Sequence, residues 1–162
     1  MIDKNQLRDL IRDVLAYLDP EIPYSSTAVE LLMLTAAAES RLGTYIKQVN
    51  GPARGIMQME PATDGDIWRN YLAHNKDLRR KILLLMGVAD TDALDPAVTN
   101  LAYQIAMARV HYRRVSEALP NMEGHPTEDA IRLASYWKDH YNTSLGKGSR
   151  LEAAKVYIEL CI

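Results

Sequence analysis

Thr27-Ala28-Val29-Glu30-Leu31-Leu32-Met33-Leu34-Thr35-Ala36-Ala37-Ala38-Glu39-Ser40 is the stretch whose reading decides the fold of this chain. Thr27 with Glu30 three residues later has the form of a capping box, in which side chains satisfy the free N–H groups at a helix start. The run from Leu31 to Ala38 is apolar and rich in alanine, and so predicts a buried helix. Gly43 is placed to stop it, because glycine adopts the left-handed backbone of a helix end without strain. Glu39 is the one carboxylate at the lip of this helix.

Outward from there the chain reads as helices. Asp3 and Gln6 form a second capping box, followed by Leu7, Leu10, Ile11, Val14, Leu15 and Leu18 at helical spacing. Asp19-Pro20 ends that helix and Pro23 marks a turn. Residues 44–58 lack a helical period. Tyr45, Ile46 and Val49 ahead of Asn50-Gly51 predict a short extended or β-hairpin element there. Pro61 suits the first turn of the next helix, with Ile67, Trp68, Tyr71 and Leu72 inward. Leu78 to Met86 reads as a helix closed by Gly87, and Asp95-Pro96 as the opening of a long helix with Leu101, Ile105, Ala108, Tyr112 and Val115 in one stripe. Further helices start at Thr127 after Pro126 and at Leu151. No internal repeat or linker interrupts residues 1–162, which predicts one mainly α domain with a short extended element near residues 44–58.

The 162 residues are enough for a core without metal or disulfide staples. A formal net charge of −2 gives no electrostatic reason to expect nucleic acid or an anionic membrane as partner. Arg79-Arg80-Lys81 and Arg113-Arg114 read as solvated helix faces, or as aids to approach an anionic polymer. Cys161 is the single cysteine, which excludes an internal disulfide and a multi-thiolate metal site. The four histidines, His74, His111, His125 and His140, lack the spacing of a zinc helix. No metal or other cofactor is expected. The polar N-terminus has no secretory h-region, and no window approaches about 18 continuous apolar residues, so neither export by a signal nor membrane insertion is expected.

Glu39 followed at a distance by Gly55-Ile56-Met57-Gln58 suits a general acid in a sugar-binding cleft. Burial beside apolar groups disfavours the charged carboxylate and raises its pKa towards neutrality. The bland alternative is a helix-end glutamate facing solvent. Ala38-Glu39-Ser40, then Gly55-Ile56-Met57-Gln58 with Pro61 and Thr63, resembles the lytic transglycosylases of the lysozyme-like superfamily, the soluble-lytic-transglycosylase catalytic domain. Asp95-Pro96-Ala97-Val98-Thr99-Asn100 is similar to that family's Asp-Pro-x-x-Asn helix start. Leu133-Ala134-Ser135-Tyr136, with Tyr141-Asn142 beyond, is similar to its closing Ala-Ala-Tyr-Asn-x-Gly segment. The closing motif is not intact, since Trp137-Lys138 follows Tyr136 and Thr143-Ser144 follows Asn142. Tyr136 matches by its preceding residues and Tyr141 by its asparagine.

The resemblance implies a lysozyme-like fold and cleavage of the β-1,4 bond between N-acetylmuramic acid and N-acetylglucosamine in bacterial peptidoglycan. Glu39 would be the catalytic acid; Ser40, Met57, Gln58, Tyr136, Tyr141 and Asn142 would meet the substrate. Short length and the absent leader look like a bacteriophage protein, an endolysin held in the host cytoplasm until release or a virion-associated wall-opening enzyme beside other virion proteins. A two-carboxylate hydrolase needs a second acid across the sugar ring. Between Glu39 and Glu60 there is no Asp or Glu. That absence favours a single-acid route to 1,6-anhydromuramoyl products. The alternatives are a muramidase using Glu60, Asp64 or Asp66, with Asp139 as a more distant source, and a virion part that binds the wall without cleaving it. Trp68 and Trp137 read as core residues or as platforms for sugar rings.

Overall fold

The computed structural model describes residues 1–87, 94–142 and 148–162. Residues 146 and 147 of the Gly146-Lys147-Gly148-Ser149 segment, which reads as a connecting loop, lie outside them. Helix α1 (Lys4–Leu18) starts as the sequence predicts, with the Asp3 carboxylate accepting from the Asn5 and Gln6 N–H groups at 3.0 and 3.1 Å. It buries Leu7, Ile11, Val14, Leu15 and Leu18.

Helix α2 (Ser26–Ser40) begins two residues earlier than the Thr27 box implies. Ser25, with extended backbone, is the cap and takes the Ala28 N–H on its hydroxyl at 3.3 Å. Glu30 reaches outward instead, accepting from Arg8 at 2.9 Å and from the Tyr157 hydroxyl at 2.8 Å. Ten of the fifteen residues of α2 are buried, so it needs neighbours on every side. They are α1, α6 (Leu101–Arg113), α7 (Pro126–Trp137) and α8 (Arg150–Cys161). Three successive residues with positive φ, Arg41, Leu42 and Gly43, end α2 and turn Leu42 into the core. Gly43 is the last of the three rather than the first stop.

Beyond α2 the expected hairpin reduces to two isolated antiparallel bridges, Lys47 to Arg54 and Arg54 to Met59. Asn50 at φ 59° and Gly55 at φ 73° bend the chain, and Pro52 has no N–H to give a ladder. Helix α3 (Pro61–Asn70) carries proline in its first turn, a 3₁₀ turn spans Leu72–His74, and α4 (Lys76–Met86) ends at Gly87 with φ 73°. The long helix expected from Asp95 is two, the short α5 (Pro96–Thr99) and α6. Asn100 separates them: its side chain accepts from the Tyr103 N–H at 3.0 Å and donates to the Leu85 carbonyl at 2.6 Å, which holds it in extended backbone. The predicted stripe survives through Tyr112, while Val115 falls past the end of α6.

Helix α7 does not simply stop. It widens into a π-helical turn, Lys138–Asn142, a form that recurs at functional sites. The buried side chains form one cluster from α1 to α8. Among the described residues no helix is long and apolar enough to cross a membrane.

Candidate functional site

Glu39 lies in the last turn of α2, one helical turn beyond Thr35. Its Oε1 accepts a hydrogen bond from the indole Nε1 of Trp137 at 3.0 Å. Trp137 is the last residue of α7 and its ring is buried. Asn142, at the end of the π turn, also hydrogen-bonds the Glu39 carboxylate, and the Lys138 ammonium acts on it through space. Lys138 in turn donates to Asn142 Oδ1 at 2.7 Å.

Burial raises the Glu39 pKa to about 7, and the Trp137 and Asn142 hydrogen bonds and Lys138 pull it only part of the way down. A carboxyl raised this far can hold its proton near neutral pH, the condition for a general acid. No carboxylate of the described residues is among the groups acting on it.

Tyr141 lies within reach of the Glu39 charge. The Glu39 charge is one of the causes, after burial, that push its phenol well above the ordinary range. Its hydroxyl donates to the Met57 carbonyl at 2.8 Å. Its ring packs on Tyr112 at 5.2 Å and on His111 at 5.1 Å between centroids. His111 Nε2 donates to the His140 carbonyl at 3.1 Å, which fixes the π turn against α6. Tyr112, fully inside the core, shares a 2.8 Å hydrogen bond with Thr35 of α2.

The segment 55–58 is clamped from two sides. Gln104 of α6 takes the Ile56 N–H on its Oε1 at 2.8 Å, and Tyr141 holds Met57. Gly55 is required: a Cβ there would stand 2.4 Å from the Ala97 carbonyl oxygen and 2.5 Å from Gln104, at a φ that side chains resist. Gln58, itself at φ 46°, folds its amide Nε2 back to the Gly55 carbonyl at 2.6 Å. It braces the turn while remaining partly exposed.

Three expected substrate contacts are placed elsewhere. Ser40 is fully buried, donates to the Ala36 carbonyl at 3.1 Å and accepts from the Gly43 N–H at 2.9 Å. Its hydroxyl closes the helix and, fully buried, is out of reach of a sugar. The Met57 side chain is 1% exposed and fills the core, so only its backbone belongs to the site. Tyr136 turns away from Glu39. Its hydroxyl donates to the Glu117 carbonyl at 2.9 Å, and it lines a separate cavity with Arg109. Of the two candidate tyrosines, Tyr141 is the one on which the Glu39 charge acts.

The three nearby carboxylates differ. Glu60 is exposed, and Asp66 is held below the usual carboxylate range by Asn70 and Arg114. Asp64 is raised by burial and accepts the Tyr103 hydroxyl on both oxygens, at 3.0 and 2.8 Å. Trp68 donates its indole N–H to the same Tyr103 hydroxyl at 3.0 Å. Asp139 is exposed and paired with Arg150 at 2.6 Å.

Sequence reasoning missed the role of Trp137, read as core or platform, and of Lys138 and Gln104. The signal for the first two was present: Trp137-Lys138 is the point where the closing motif departs from its pattern. Gln104 had none. Among the described residues no group of three or more His, Cys, Asp or Glu side chains is arranged to hold a metal ion. Comparison with protein-family models, curated proteins and solved structures finds no match to this chain.

Proposed function

We propose that this chain is a peptidoglycan lytic transglycosylase, with Glu39 as its only catalytic acid. The observation that carries the reading is a carboxylate with pKa about 7 at the end of a buried helix, steered by an indole N–H and an asparagine amide. In the first step the Glu39 proton goes to the glycosidic oxygen as the bond to C1 of the muramoyl residue breaks. The Glu39 carboxylate then takes the proton of the muramoyl 6-hydroxyl as that oxygen closes on C1. The product is a 1,6-anhydro ring and the acid is regenerated. The substrate's own N-acetyl group assists at C1. Lys138 and Asn142 favour the carboxylate formed midway, while burial favours the protonated state that starts the cycle. The four motifs that resemble the transglycosylase family support the same assignment.

A second reading, hydrolysis by a muramidase, draws on one observation. Asp64 is half-buried and raised in pKa by that burial, whereas Asp66 is held below the usual carboxylate range. Retaining hydrolases set their two carboxyl groups about 5–5.5 Å apart. A carboxylate that close would act strongly on Glu39, and Asp64 is not among the groups that do. Both Asp64 oxygens are also engaged by Tyr103.

Digestion of purified peptidoglycan in ¹⁸O-water, followed by mass spectrometry, separates these readings. Unlabelled products lighter by one water are expected. Labelled reducing ends as the main product move the assignment to a muramidase, and an absence of products leaves a wall-binding protein.

A further inference from the structure

A cavity of about 330 Å³ opens between the start of α2, the end of α6, the segment after it and α7. Its size falls within the roughly 300–1,000 Å³ of small-molecule sites. Glu39, Trp137, Tyr141 and Asn142 are not on its wall; Tyr24, Ser25, Arg109, Arg113, Glu117 and Tyr136 are.

Arg109 is the unusual member. It projects from the middle of α6 and is 6% exposed. Its Nε has no hydrogen-bond partner, and Arg109 takes part in none of the ion pairs among the described residues. A buried charge without a counter-ion is strongly destabilising and is retained in few proteins without a partner. After burial, the largest effect on it is that of the Arg113 cation, which repels it. Arg113 is exposed and also has no ion pair among the described residues. Glu117 is exposed, and its carboxylate accepts from its neighbour Ser116 at 2.9 Å. Ser25 caps the fifteen-residue α2, so the positive end of that helix dipole meets the same space. Among the described residues the cavity thus has a cationic interior and phenol walls, with its one carboxylate at an exposed position.

We propose that this cavity is a binding site for a small organic anion, whose carboxylate or phosphate oxygens pair with the Arg109 guanidinium while its body lies against Tyr24 and Tyr136. Arg113 draws the anion in from the mouth. The planar guanidinium suits either oxyanion, since both present two oxygens to its fork. The site is separate from Glu39 and does not depend on the reaction assigned to it. Tyr112, whose ring lies 5.9 Å from Tyr136 and 5.2 Å from Tyr141, is the wall between the two.

The test is a ¹⁵N NMR titration of the full chain with sodium phosphate and, separately, sodium acetate, with ionic strength held constant by sodium chloride. Saturable shifts of the Arg109 Nε–Hε resonance and the Ser25 amide are expected with at least one of them. Saturation by phosphate assigns a phosphoryl ligand, and saturation by acetate a carboxylate. Arg109→Met should abolish saturation. It should also fold, because it removes an uncompensated buried charge and keeps an apolar stem. Arg113→Gln, at an exposed position, is the second variant, and should weaken half-saturation by about twofold to fivefold. Shifts that merely follow the chloride control in the wild-type chain would overturn the proposal. So would unchanged saturation in Arg109→Met.

Discussion

At the residue scale, the protonation of Glu39 is a contest between burial and three groups that favour its charge. Burial wins, and Trp137 is the largest of the opposing causes. Trp137→Phe removes the indole N–H and so withdraws a hydrogen bond to the charged form. The Glu39 pKa should rise above about 7, and the alkaline limb of the activity profile should move to higher pH with it. A ¹³C titration of the Glu39 carboxyl measures the shift directly; a downward shift would show that the indole does not stabilise the carboxylate. The same residue shows what the sequence could and could not disclose. Glu39 was legible, because one carboxylate at the end of an apolar run is visible in the chain itself. Its partnership with Trp137, 98 positions away, was not, because only the packing of α7 on α2 creates it.

At the element scale, the site depends on segment 55–58 being held between α6 and the π turn after α7. Gly55 is where that arrangement is tightest. Gly55→Ala forces a side chain into the Ala97 carbonyl and Gln104 at a left-handed φ of 73°. A loss of stability of about 1–3 kcal/mol is expected from the backbone strain alone, with more from the contacts, read as a lower midpoint in urea. An unchanged midpoint would mean that the segment is free to move aside. Helix starts and stops marked by Asp3, Pro61 and Gly87 were legible, because each acts through its own neighbours. The break at Asn100 was not, because the side chain that makes it reaches to Leu85 in another helix. The π turn was also hidden. Its hydrogen-bond shift is set by what α7 meets at its end, and five residues carry no periodicity to read. That is why the sequence left Tyr136 and Tyr141 as equal candidates.

At the scale of the whole molecule, a raised pKa in the folded state links the chemistry of Glu39 to stability. The folded chain holds this proton up to about pH 7, whereas a free carboxyl with the ordinary value of 4.5 has lost it. Stability from this group is therefore fully present below pH 4.5, falls as pH rises from there to about 7, and is level above. The loss is at most of order 3 kcal/mol, from about 1.4 kcal/mol per pKa unit. Glu39→Gln cannot lose a proton, so above pH 7 it should be the more stable protein, by melting temperature against pH. Equal pH dependence in both would place the raised pKa elsewhere. The mainly helical architecture was legible from periodicity and caps. The arrangement of α1, α6, α7 and α8 around α2 was legible only as far as the apolar nature of α2 on every side demanded neighbours. The central claim, that Glu39 is the acid, is tested most directly by the rate at which the wild-type chain and Glu39→Gln clear a suspension of purified peptidoglycan. A fall by a factor of about 10²–10⁴ is expected, the range of general acid catalysis, from a variant that is folded and more stable at neutral pH. Clearance by the Gln variant at near wild-type rate would contradict the account.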